Sequence, residues 1–128
     1  MSDFSDYSEE KIINVLLRGQ AHTGAATVYA ALYTAAPTDA GGGTECAYSG
    51  YARVAITFGA PSGGASANTN TVTFVAVAGS TQTVVAIGIF DASTAGNLLI
   101  WDTLASSVVY NVSDIPIFAV SGVTLTVA

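Results

Sequence analysis

Two hydrophobic periodicities divide the chain. In its first twenty residues, Ile12, Ile13, Leu16 and Leu17 recur at i, i+3 and i+4, the spacing that lines one face of a helix. The spacing predicts one short helix over about residues 5–18, with Ser8 as N-cap and Tyr7 and Ile12 as a hydrophobic staple. Gly19 is placed to stop it. Asp6, Glu9 and Glu10 lie near the positive end of the helix dipole and Arg18 near the negative end, so the charges agree.

From residue 27 onward the period is two, which predicts strands. TVYAALYT (27–34) sets Val28, Ala30 and Leu32 against Tyr29, Ala31 and Tyr33, and YARVAITF (51–58) sets Val54, Ile56 and Phe58 against Arg53, Ala55 and Thr57. TVTFVAV (71–77) and the closing VTLTVA alternate in the same way. TVVAIGIF (83–90) and NLLIWDTL (97–104) are apolar on both faces and read as central strands, joined into a hairpin by the turn formers of DASTAG. Weaker strands around 107–111 and 116–120 bring the count to about eight. The expected fold is therefore mainly β: a single β-sandwich or jelly-roll-like domain of antiparallel strands over 21–128, preceded by a helical arm over 1–20. The long connections 36–50 and 59–70 are Gly-rich, and loops of that length are usually functional or mobile.

Charge sharpens this picture. Charged residues make up 9% of the chain, against about a quarter in an ordinary domain. Six of them (Asp3, Asp6, Glu9, Glu10, Lys11 and Arg18) precede residue 19, and no Lys or Arg follows Arg53. Such a surface of hydroxyls, methyls and backbone suits packing against neighbours. The net charge of −6 and the lack of a Lys/Arg cluster argue against nucleic acid, whose phosphates demand cations. No apolar run approaches the roughly 20 residues that span a bilayer, and the acidic N-terminus is unlike a secretory signal. The expectation is a protein made in a cytoplasm and kept there until assembly, with no membrane partner.

Candidate chemistry is sparse. With His22 as the only histidine and Cys46 as the only cysteine, neither a His-based triad nor a multi-cysteine metal site can be assembled, and no catalytic, metal or cofactor residue is assigned. Cys46 falls in a Gly-rich loop and reads as incidental. Gly41-Gly42-Gly43 lacks the Lys and Ser/Thr of a phosphate loop. Arg53 is the one cation of the β portion, reading either as part of a solvated face or ion-paired to an aspartate, or as reaching an acidic neighbour across a subunit contact. Trp101 reads as core or as an interface anchor. Tyr48 and Tyr51 would be the natural pair for a glycan, or the rim of a subunit contact.

ALYTAAPTDAGGGTE (31–45), GYAR (50–53), FGAPSGG (58–64) and GIFDASTAGNLLIW (88–101), together with a Phe-x-x-Tyr element at Phe4 to Tyr7, resemble a family of small tailed-bacteriophage virion proteins. Members are often labelled tail-fibre-like, and similar small β proteins decorate capsids. The resemblance implies a structural role in a virion and carries no enzymatic residue across. Lacking heptads and internal repeats, the chain is expected to be a capsid decoration or cement protein that fastens adjacent capsomers. The alternative is a tail or tail-fibre component involved in host attachment. Expected partners are the major capsid protein or other virion proteins and further copies of the chain, with a trimer as one closed form. The expected interface residues are Phe4, Tyr7, Ile12, Ile13, Leu16, Leu17, Tyr48, Tyr51 and Arg53. Burying the four apolar helix side chains is worth about 1.5–3 kcal/mol each, so the helix is expected to dock on its own domain or on another chain.

Overall fold

The computed structural model describes residues 2–127. Strand β1 (Asp3–Phe4) leads into helix α1 (Asp6–Arg18) through Ser5, which is the N-cap. The Ser5 side chain accepts from the Ser8 amide at 3.3 Å, its hydroxyl donates to the Leu98 carbonyl, and its own amide donates to Leu99 O at 3.1 Å. The sequence pattern placed the cap at Ser8. Pairing of β1 with the sheet fixes the entry three residues earlier, which puts Glu9 rather than an apolar residue at the fourth helical position and leaves the Tyr7–Ile12 staple unformed. At the other end Gly19 closes the helix as expected, left-handed at φ 63° with its N–H on Asn14 O.

The chain continues through β2 (Val28–Ala35), β3 (Thr44–Glu45), β4 (Val54–Ile56), β5 (Ala65–Ala67), β6 (Val72–Thr73), β7 (Gln82–Phe90), β8 (Leu98–Tyr110), β9 (Ile117–Phe118) and β10 (Thr124–Thr126). All pairings are antiparallel. Six strands form one sheet in the order β1-β8-β7-β2-β3, with β4 also on β2, while β5–β10 and β6–β9 are separate two-stranded ribbons. The fold is thus mainly β with one N-terminal helix, as expected. Its second layer is a pair of ribbons rather than a continuous second sheet, and the sheet does not close into a barrel.

The 83–90 and 97–104 segments form the expected central hairpin. The stretch 107–111 is no separate strand but the far end of β8: between the pairs Val84↔Val108 and Ala86↔Thr103 the register jumps, and the surplus residues bulge from β8 while pairing resumes beyond them. A bulge of that size breaks the alternation in the sequence without ending the strand.

Alternation along β2 serves both faces of the sheet. Ala30 and Leu32 join Ile87, Ile89 and Ile100 on the face covered by the ribbons, which contribute Val72, Phe74, Val77 and Val123. Ala31 and Tyr33 join Ala86, Phe90 and Leu98 on the opposite face. Between them Gly88 makes room: a Cβ there would lie 2.9 Å from both Leu98 Cδ1 and Tyr33 Cε2.

Asn68, fully buried, ties the ribbons together. Its Oδ1 accepts from the Val123 amide at 2.9 Å, and its Nδ2 donates to the carbonyls of Asn70 at 2.7 Å and Ala119 at 3.0 Å. Replacing it by Ala removes three hydrogen bonds to the backbone, each worth about 1 kcal/mol, and leaves the buried Val123 amide without its acceptor. Urea denaturation of Asn68→Ala should show a loss of about 3 kcal/mol; a loss under about 0.5 kcal/mol, the range of neutral surface changes, would mean that the ribbons do not depend on it.

Candidate functional site

The only cation of the β portion lies at the centre of its most connected site. Arg53 immediately precedes β4, and its side chain is 10% exposed. Nε and Nη2 engage the Glu45 carboxylate at 3.0 and 2.9 Å, and Nη1 donates to the carbonyls of Ala92 at 3.1 Å and Ala95 at 2.7 Å. The guanidinium rests on the Phe90 ring, 3.5 Å from its centroid, a cation–π contact. Burial opposes the charge on Arg53, but the Glu45 carboxylate overrides it and raises the guanidinium pKa further. The ion pair is therefore within one chain, with a glutamate rather than one of the aspartates that the sequence offered.

The register of the sheet explains the partner. Glu45 pairs directly with Tyr33, and Phe90 lies two strands along, so one sheet face supplies the acid, the ring and the phenol. Tyr51 locks the acid from the other side: its hydroxyl donates to Glu45 Oε2 at 2.8 Å and accepts the Leu32 amide at 3.0 Å. Its ring stacks on Phe74 at 6.1 Å and meets Tyr48 edge-on at 5.3 Å. Burial and, secondarily, Glu45 raise the Tyr33 phenol to about 12, and burial is also the main cause that raises Tyr51.

These contacts hold the hairpin turn 91–97. Ala95 sits at φ 51° and Gly96 at φ 73°, where a Cβ would lie 2.5 Å from Asp91 Oδ1. The Asp91 carboxylate accepts from the Asn97 amide at 2.7 Å and from Asn97 Nδ2 at 2.8 Å. Burial works to raise this carboxyl, but the Asn97 hydrogen bonds outweigh it and hold the pKa below the usual aspartate value.

Two open clefts flank the ion pair. One, of about 550 Å³, lies among Tyr33, Phe90, the 39–43 turn and the start of α1; the other, of about 520 Å³, is lined by Cys46, Tyr48, Tyr51 and residues 93–95. Glu45 and Arg53 line both. Because every nitrogen of Arg53 already donates within the chain, the pair acts as a clasp between β3 and the hairpin turn. Among the described residues no three His, Cys, Asp or Glu side chains converge where they could hold a metal ion.

The other singled-out residues divide clearly. Tyr48 is buried, with its hydroxyl on Val75 O at 2.8 Å, and Tyr51 is half-buried and tied as above, so the two rings line the smaller cleft rather than standing out from the surface. Cys46, expected in a flexible loop, is 3% exposed and donates its amide to Leu32 O at 2.8 Å. Trp101 is half-buried on the outer face of the sheet and donates to Asp39 Oδ1 at 3.1 Å. Phe4 packs partly into the core and Tyr7 lies under Lys11 Nζ, 5.0 Å from the ring centroid. Glu45, Phe90 and Asp39 were not singled out in the sequence; Glu45 was the acid nearest Arg53 along the chain, the one signal that could have named it.

Helix α1 does not take the first of its two expected arrangements, docking of the apolar stripe on its own domain. Tyr7, Ser8, Lys11 and Asn14 are half-buried, whereas Ile13, Leu16 and Leu17 are 50%, 73% and 80% exposed and Ile12 is exposed beside them. The helix presents its polar side to the domain and its apolar stripe to the outside, so the expected docking on its own domain does not occur.

A small antiparallel domain, clasped internally and carrying an outward apolar helix, has the architecture of a structural building block, and the family comparison places it among the structural proteins of tailed-phage virions. A family model described as podophage GP4 fiber I protein gp80 matches residues 3–126, and the chain belongs to that family. A comparison with curated proteins finds no match. The family description meets the resemblance seen in the sequence, and of the two virion roles considered it favours the tail fibre over capsid decoration.

Two outcomes test this site. Burial, with a smaller contribution from Glu45, raises the Cys46 thiol to about 11. At pH 8 a thiol reagent should therefore label the folded protein at least a hundred times more slowly than the urea-unfolded chain, and comparable rates would refute the buried placement. The folded pKa of Asp91 lies below its unfolded value of about 3.9, so its contribution to stability is present above about pH 4 and is lost as pH falls through the folded value. Wild type should exceed Asp91→Asn in urea midpoint at pH 7, with the gap closing towards pH 2; a gap independent of pH would contradict the charge-assisted turn.

Proposed function

We propose that this protein is a compact structural module of a podophage tail fibre, one that joins neighbouring virion proteins and so takes part in host attachment. The observation that carries the reading is the family match over residues 3–126, which takes in α1, the six-stranded sheet and both ribbons. Three features of the molecule support it. The β portion has almost no charge to hydrate its exterior, and its one cation is spent on the internal clasp. The helix offers apolar surface outward. The chain has no repeat or heptad from which an extended shaft could be built, so its place is that of a module within a fibre rather than the shaft itself.

Quantitative mass spectrometry of purified virions, with immunogold labelling, checks the assignment. The expected result is a copy number far below that of the major capsid protein, with label confined to the tail. A ratio near unity with label over the shell would overturn it in favour of capsid decoration.

A further inference from the structure

We infer that α1 is a docking helix whose outward face inserts into an apolar groove rimmed by Lys or Arg on a different virion protein. The inference deepens the fibre reading by stating the chemistry of the neighbour. It rests first on orientation. The Ser5 cap and β1 hold the helix by its start, and Tyr7, Ser8, Lys11 and Asn14 already occupy the side that faces the domain. Ile12, Ile13, Leu16 and Leu17 therefore cannot turn inward without breaking the cap. At about 1.5–3 kcal/mol for each large apolar side chain removed from water, covering them is a strong drive for association, and the i, i+3, i+4 arrangement is the anchor pattern of helix-in-groove recognition.

Charge selects the occupant. Glu9 stands three and four residues before Ile12 and Ile13 and so lies on the same face, and Asp6 and Glu10 border it. Both cations of the helix lie on the other side: Lys11 is over the Tyr7 ring, and Arg18 donates to Asn14 Oδ1 at 2.7 Å. The docking face is therefore apolar with an exclusively acidic rim. A second copy of this chain complements it poorly: Arg53 is committed to Glu45, and Lys11 and Arg18 lie on the side of their own helix away from the apolar stripe. Parallel helices from several copies would crowd their carboxylates at one end. An anionic lipid surface would repel the same rim. What fits is a groove on another protein with basic residues beside the apolar floor.

The probe is the virion assembled without this chain, to which purified protein is added back and the bound fraction measured by quantitative gel. Leu16→Ser/Leu17→Ser and Glu9→Lys/Glu10→Lys alter exposed side chains only, and circular dichroism and urea midpoints like those of wild type verify folding. Wild type should rebind saturably and more weakly as salt is raised. The leucine variant should lose at least tenfold in affinity, and the charge-reversed variant about tenfold, or about 1.4 kcal/mol. Three results would overturn the inference: both variants rebinding like wild type; loss only in the leucine variant, with wild type forming a soluble oligomer that this variant cannot form; or helix-dependent binding to phosphatidylcholine vesicles in place of particles. Immunogold on the reconstituted particles separates the two claims. Helix-dependent binding to the shell would sink the fibre reading alone, and helix-independent binding to the tail would sink the docking helix alone.

Discussion

The Arg53–Glu45 ion pair is the interaction on which the arrangement of this domain turns. Strand β3 is two residues long and the hairpin turn 91–97 belongs to another part of the sheet, and a single guanidinium fastens both. A lysine could not do this. The planar fork meets the carboxylate with two nitrogens while the third reaches the turn, and its flat face lies on Phe90. Glu45 is held in turn by Tyr51, whose ring is part of the main core through Phe74. The clasp therefore links one face of the sheet to the other.

With its one strong cation turned inward, the β portion presents methyls, hydroxyls and backbone to the exterior. A protein built this way has little electrostatic means of choosing partners from its sheet, and the charge that could confer choice is concentrated in the first eighteen residues. The outward stripe of α1 and its acidic rim sit together there. A clasped β portion and a helix that carries the charge are complementary properties for the fibre module proposed above.

The helix, the central hairpin and the alternating strands were legible because each follows from local period: 3.6 for Ile12 to Leu17, two for β2, and turn formers between β7 and β8. What local pattern could not supply was anything decided across the sheet. The cap moved from Ser8 to Ser5 because β1 pairs with β8, and residues 107–111 joined β8 because a bulge absorbs the slip. Arg53 was conspicuous in the sequence as a lone cation. Its partner was not, since only the Tyr33↔Glu45 register brings that acid beneath it. Tyr48 and Cys46, in a Gly-rich segment that reads as an exposed loop, are buried because that loop folds back over Leu32 and Val75.

A double-mutant cycle on the isolated protein, using Arg53→Met, Glu45→Gln and the pair of changes in urea denaturation, tests the clasp most directly. An intrachain clasp predicts a coupling energy of about 2 kcal/mol between the two positions, within the range for residues in one hydrogen-bonded network. Coupling near zero, with Arg53→Met as stable as wild type, would contradict it and return Arg53 to the role of a contact between subunits.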